Sequence, residues 1–270
     1  MLERFGSMVV AVVVSVGAAG CGGDDGGGDD SSDTTIAASA SGDGAVEGPV
    51  VVFAAASLAD AFAEVESAFE AANPGADVQL NTAGSSALRE QLLEGAPADV
   101  FASANQSNMQ QVVDAGEVDG EPEVFVRNRL QIAVPASNPG DVAGLADFAQ
   151  PDLLIGLCAE GVPCGDLARQ ALANAGVEPS IDTNEPDVRA LLTKIEADEL
   201  DAGIVYVTDV TAAGDLVEGI DIPEDANVVA AYPIAGLAEA PNPEGAEAFV
   251  AFVLSDEGQA ILGAYGFSSP

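Results

Sequence analysis

The stretch PVVVFAAASLADAFAEVESAFEAANPG, residues 49–75, decides how the rest of the chain is read. Pro49 to Ala54 is a continuous apolar run rich in valine, the pattern of a strand covered on both faces. From Ser57 the period changes. Leu58, Phe62, Val65 and Phe69 recur at helical spacing, Asp60 stands three places after Ser57 as in a capping box, and Asn73-Pro74-Gly75 stops the pattern. A strand therefore turns into a helix at a serine.

The same unit recurs downstream. Asp77 to Asn81 reads as a strand that passes through Thr82-Ala-Gly-Ser-Ser86 into a helix from Ala87 to Glu94, ended by Gly95 and Pro97. A third cycle takes Ala98 to Ser103 and then Asn105 to Ala115, with Gly116 at its stop. Beyond Arg129, the strand Leu130–Val134 is broken by Pro135 and a second series opens. It comprises a strand Leu153–Leu157, a helix near Asp166–Ala175, a helix Asp187–Asp198 and a strand Gly203–Val207. A strand Asn227–Tyr232 and a helical region Glu244–Tyr265 end the chain. Such alternation indicates the α/β class, with parallel sheets flanked by helices. We expect two lobes joined by crossings near 130–135 and 225–236.

Composition narrows the function. With 270 residues and 48% apolar content the chain can build a real core. Its 45 acidic against 7 basic residues give a net charge of −38, which repels nucleic acid and anionic lipid. The absence of histidine removes Ser-His-Asp and Cys-His nucleophiles, His-assisted metal sites and most acid–base schemes. With no Trp and 5% aromatics, a stacking platform for sugars or bases is not expected.

The N-terminus carries Arg4, then an apolar segment from Met8 to Ala19 too short to span a bilayer, the form of a secretory signal over residues 1–20. Ala18-Ala-Gly-Cys21-Gly resembles a bacterial lipobox, a resemblance that implies Cys21 as the lipidated first residue of the mature chain; the alternative is an ordinary signal peptide followed by an unrelated Cys. Residues 21–48 are dominated by Gly, Asp, Ser, Thr and Ala, without Lys or Arg, and read as a solvated acidic tether holding a folded domain off the membrane. The chain-wide excess of carboxylates also suits a saline habitat, and composition leaves both readings open.

Two hydroxyl clusters, at Ser57 and at Ser85-Ser86, stand where strands become helices. A helix start presents unpaired N–H groups and the positive end of the dipole, so a serine there either caps the helix or adds a donor to an anion site. Two such sites facing each other would cage a small oxyanion.

Several motifs in order, Val-Val-Phe-Ala-Ala-Ala-Ser57-Leu-Ala-Asp, Gly84-Ser-Ser-Ala-Leu88, Glu94-Gly-Ala-Pro-Ala-Asp-Val-Phe-Ala-Ser-Ala104, Val162-Pro-Cys-Gly165, Asp187-Val-Arg-Ala190 and Gly203-Ile-Val-Tyr206, resemble the substrate-binding proteins of molybdate ABC transporters. The similarity covers residues 49–268. It implies a two-lobed periplasmic binding protein (type II), a ligand cleft between lobes and two hinge crossings. Lobe 1 is expected at 49–130 and 231–270, and lobe 2 at 131–230. By resemblance the site comprises the hydroxyls of Ser57, Ser85 and Tyr206 and the backbone N–H groups of Cys164 and Val188, with Ser86 the weaker match.

The implied cargo is molybdate or tungstate, held by neutral hydrogen bonds with no metal–protein ligation and no cofactor. The implied partner is an ABC permease in the cytoplasmic membrane. The protein would be an extracytoplasmic monomer, touching the membrane through its lipid anchor only and binding no nucleic acid. With Cys21 assigned to lipid, Cys158 and Cys164 form an even pair in an oxidising compartment and are expected to join. Arg89, Arg189 and Lys194 read as solvated surface charges, and the site is expected to be free of Asp and Glu. Alternatives are a binder of sulfate or phosphate, a secreted serine hydrolase using Lys194, and a surface interaction module. The first shares the class; the second lacks a histidine and a Gly-X-Ser-X-Gly elbow.

Overall fold

Each turn from strand to helix aims the start of a helix at one edge of a sheet, and the strand order determines which of those starts meet. The computed structural model describes residues 46–270. The expected signal segment, Cys21 and the tether as far as residue 45 lie outside the described residues. The first half holds β1 (Glu47–Ala55), α1 (Ala59–Ala72), β2 (Gly75–Ala83), α2 (Ser85–Leu93), β3 (Val100–Ala102) and α3 (Gln106–Asp114). Then come β4 (Glu123–Pro135), β5 (Ile155–Cys158), α4 (Pro163–Asn174), β6 (Thr183–Glu185), α5 (Val188–Glu196), β7 (Ala202–Tyr206), α6 (Val207–Ala213) and β8 (Val217–Asp221). β9 (Val229–Gly236), α7 (Pro243–Leu254) and α8 (Asp256–Ala264) complete the chain.

The strands run in the order β2-β1-β3-β9-β4-β7-β5-β6, with β8 also paired to β4. Only part of this is parallel: β1 runs with β2 and β3, and β5 with β6 and β7. β9 is antiparallel to β3 and β4, and β4 is antiparallel to β7 and β8, which corrects the expectation of parallel sheets. The reason lies in β4. Its residues Glu123–Arg129 pair with β9 and its residues from Leu130 pair with β7 and β8, so one long strand belongs to both halves. The chain returns to the first half through the segment between β8 and β9.

Several boundaries move for identifiable reasons. β1 begins at Glu47, inside the segment read as tether, because Glu47 and Gly48 pair with Gly75 and Ala76 while contributing little to the core. β4 starts at Glu123 because Val126, Asn128 and Leu130 point inward while Arg127 and Arg129 face solvent, a period-2 pattern disguised by its charges. The C-terminal helical region is two helices, separated where Ser255 accepts a hydrogen bond from the Gly258 N–H at 3.2 Å. β6, α6 and β8 have no counterpart in the sequence reading.

α2 and α3 cover one face of the first sheet with Leu88, Leu92, Met109 and Val112, against Phe53 and Phe101. α1 and α7 cover the other face, and α8 packs against those two helices. There Phe62 packs on Phe125 and Phe249, and Phe69 on Phe249 and Phe252, with centroid distances of 5.3–6.0 Å. Phe249 joins α7 to α1, the first α-helix of the described residues. Phe249→Ala should destabilise the fold by about 3–5 kcal/mol in urea unfolding; a loss below about 1 kcal/mol would show that the cluster does not unite the first half.

Candidate functional site

Five chain reversals from strand to helix converge on one cavity. Ser57 lies in a 3-10 turn, Ala56–Leu58, between β1 and α1. Ser85 opens α2, Cys164 is the second residue of α4, Val188 opens α5, and Tyr206 ends β7 directly before α6. All five are buried and line the same space with Gly84, Ala104, Val162 and Asp187. The first half supplies the two serines, and the second half supplies Cys164, Val188 and Tyr206. The cavity measures about 10 Å³, room for about one water molecule and far below the roughly 300–1,000 Å³ of sites for drug-sized molecules.

Neither serine caps its helix, so the capping-box expectation for Ser57 and Asp60 is corrected. The Ser57 hydroxyl lies 2.9 Å from the Tyr232 hydroxyl, and the Ser85 oxygen accepts from the Ala104 N–H at 3.0 Å. A serine that accepts keeps its own proton available. The N–H groups of Cys164 and Val188 fall in the first turns of α4 and α5, where no partner within the helix exists. The Asp187 carboxylate caps α5 through the Ala190 N–H at 2.9 Å. The Tyr206 hydroxyl is buried and has no hydrogen-bond partner among the described residues. Leaving such a group unpaired costs about 1–3 kcal/mol.

Close packing holds these donors in place. A Cβ on Gly84 would lie 2.6 Å from the Pro186 carbonyl oxygen, so glycine alone lets α2 start against the loop before α5. A Cβ on Gly165 would lie 2.1 Å from the Ala159 oxygen, which brings α4 equally close to the exit of β5. Cys158 and Cys164 are joined by a disulfide across that junction. The Arg169 Nη1 donates to the Cys158 carbonyl at 2.7 Å and to that of Gly165 at 3.0 Å, while its Nη2 donates to Asn184 Oδ1 at 2.6 Å.

No lysine or arginine lines the cavity, but one carboxylate does, which corrects the expectation of an acid-free site. Asp187 is tolerated because its charge is engaged by the helix N-terminus it caps. The residues read as solvated charges also prove to be paired. Arg189 of α5 bridges to Asp60 of α1, Lys194 donates to Glu185 at 2.6 Å, and Arg89 donates to Asn108 Oδ1 at 2.7 Å. The Asn108 amide in turn reaches the Gly161 carbonyl of the second half at 3.4 Å. Their partners are remote in sequence, so local pattern gives no signal of them.

Sequence reasoning also missed Tyr232 and Asp209. The Asp209 carboxylate is buried and accepts from the Tyr206 N–H at 3.0 Å. Desolvation pushes its pKa up to about 7, against the lowering effects of that N–H and of Arg189. Burial likewise raises the Tyr206 phenol well above its usual value, so it keeps its proton to donate. Among the described residues no group of His, Cys, Asp or Glu is placed to hold a metal ion, and no helix is long and apolar enough to cross a membrane.

A two-lobed α/β fold whose halves share a small, buried, donor-lined cavity is the architecture of a binding protein for a small anion. Residues 50–268 match the family of bacterial extracellular solute-binding proteins, and the chain belongs to that family. It is 40% identical over 221 residues to the molybdate-binding protein ModA of Mycobacterium tuberculosis, covering 82% of this chain and 85% of that one. Identity to ModA of Escherichia coli is 34% over 233 residues, 82% and 90% of the two chains. The periplasmic molybdate-binding protein of Azotobacter vinelandii superposes with a TM-score of 0.71 at 18% identity, covering 82% of this chain and 99% of that one, a likeness of fold.

The raised Asp209 has a defined linkage sign. The folded state binds its proton more tightly than the unfolded chain, so the contribution to stability is complete below about pH 4 and lost as pH rises through about 7. Asp209→Asn should flatten this decline relative to wild type in thermal melts between pH 4 and 7. Parallel profiles for the two proteins would contradict the assignment.

Proposed function

We propose that this protein captures molybdate or tungstate outside the cytoplasm and delivers it to an ABC permease. The observation that carries the reading is the convergence of Ser57, Ser85, Tyr206 and the N–H groups of Cys164 and Val188 on one cavity without a lysine or arginine. Hydrogen bonds to a charged acceptor contribute about 1.5–3 kcal/mol each, so five converging donors offset much of the cost of stripping water from a tetrahedral dianion. The protein's many distant carboxylates are screened over about 8 Å at physiological salt. Selection against sulfate then falls to cavity size, since the tetrahedra share shape and charge.

In this reading the lobes that close on the anion comprise residues 49–130 with 231–270, and residues 131–230. Cys21 carries a lipid that keeps the monomeric protein at the outer face of the cytoplasmic membrane, with the residues between it and β1 as tether. Solute capture, not catalysis, is the role of the family. The hydrolase alternative also lacks its base, since the sole lysine, Lys194, is engaged by Glu185, and Ser57 and Ser85 have other partners.

Calorimetric titration with molybdate, tungstate, sulfate and phosphate tests the reading. Binding of the two larger anions should be the tightest, and a clear preference for sulfate or phosphate would overturn the choice of cargo. Ser57→Ala and Tyr206→Phe should each weaken molybdate binding by about 1–3 kcal/mol with the melting temperature of the free protein little changed. Unaltered affinity in both variants would break the residue assignment.

A further inference from the structure

Tyr232 lies in β9, is 0% exposed, and does not line the cavity, yet its hydroxyl is the partner of Ser57 at 2.9 Å. Its ring is wedged edge-on against Tyr206, Phe125 and Phe267, with centroids 5.9, 6.4 and 5.6 Å away, so the hydroxyl has little freedom to move. Burial pushes the phenol pKa up, and the group keeps its proton throughout the neutral range.

Either oxygen of this pair can donate, and the two arrangements differ in what they offer an anion. If Ser57 donates to Tyr232, the serine turns a lone pair toward the cavity and repels an oxyanion. If Tyr232 donates to Ser57, the single serine proton is released toward the cavity, and the accepted bond polarises it. A dianion in the cavity selects the second arrangement.

We propose that Tyr232 is a positioning residue of the anion site: its buried hydroxyl donates to the Ser57 oxygen and thereby aims the Ser57 proton at the bound anion. The proposal rests on the reading of the cavity as an oxyanion site and adds to it a residue that touches no ligand. Tyr232 belongs to β9, the strand that pairs with both β3 and β4, so the hydroxyl is anchored at the centre of the sheet.

A double-mutant cycle separates this role from a structural one. Sodium molybdate is titrated calorimetrically into wild type, Ser57→Ala, Tyr232→Phe and the double variant. Tyr232→Phe should weaken binding roughly three- to tenfold when Ser57 is present and less than about twofold when it is alanine. Equal weakening in both backgrounds, or none with Ser57 present, overturns the proposal and leaves the oxyanion reading standing. A wild-type protein that binds no molybdate overturns both.

Should Tyr232→Phe fail to fold, the wild type labelled at tyrosine Cζ carries the test. Its three tyrosines are distinguished by Tyr206→Phe and Tyr265→Phe. The Tyr232 signal should shift on saturation with molybdate, and an unmoved signal overturns the proposal.

Discussion

Removing a doubly charged tetrahedron from water without a counter-charge demands that its oxygens meet N–H or O–H groups already pointing inward. A single helix start supplies only a few such groups, so several must be brought to one point. The fold answers that demand geometrically. Parallel β-α units place helix starts along one edge of each half, and β4, shared by both halves, sets the two edges face to face. A cage of N–H and O–H donors would let a chain of net charge −38 dispense with a basic residue at the proposed anion site.

The remaining features of the cleft serve closeness and orientation. Gly84 and Gly165 stand where any side chain would collide with carbonyl oxygens, and the Cys158–Cys164 disulfide with Arg169 ties the start of α4 to the end of β5. Charges that could disturb the cage are each engaged: Asp187 by the start of α5, Arg189 by Asp60, and Asp209 by the Tyr206 N–H. Asp60–Arg189 and Asn108–Gly161 also link the two halves, so contacts around the cavity are made by both.

Much of this was legible in the sequence, because strand period, helical period and glycine stops are local signals. The first three strand–helix cycles and α4, α5 and β7 followed from them, and the five residues named from motif resemblance surround one cavity. What local pattern hides is pairing at a distance. β4 is disguised by Arg127 and Arg129, β6 is only three residues long, and the antiparallel returns depend on which strands become neighbours. The Tyr232 contact was invisible to local pattern because its partner, Ser57, lies 175 positions away. Asp209 reads as an ordinary surface acid until the fold buries it.

A crystal structure of the protein with molybdate, with the metal located by its anomalous scattering, addresses the account most directly. The ion should lie in the cavity with its oxygens at hydrogen-bonding distance from Ser57 Oγ, Ser85 Oγ, Tyr206 Oη and the N–H groups of Cys164 and Val188. An ion bound elsewhere, or paired in the cleft with an arginine or lysine side chain, would contradict the central claim.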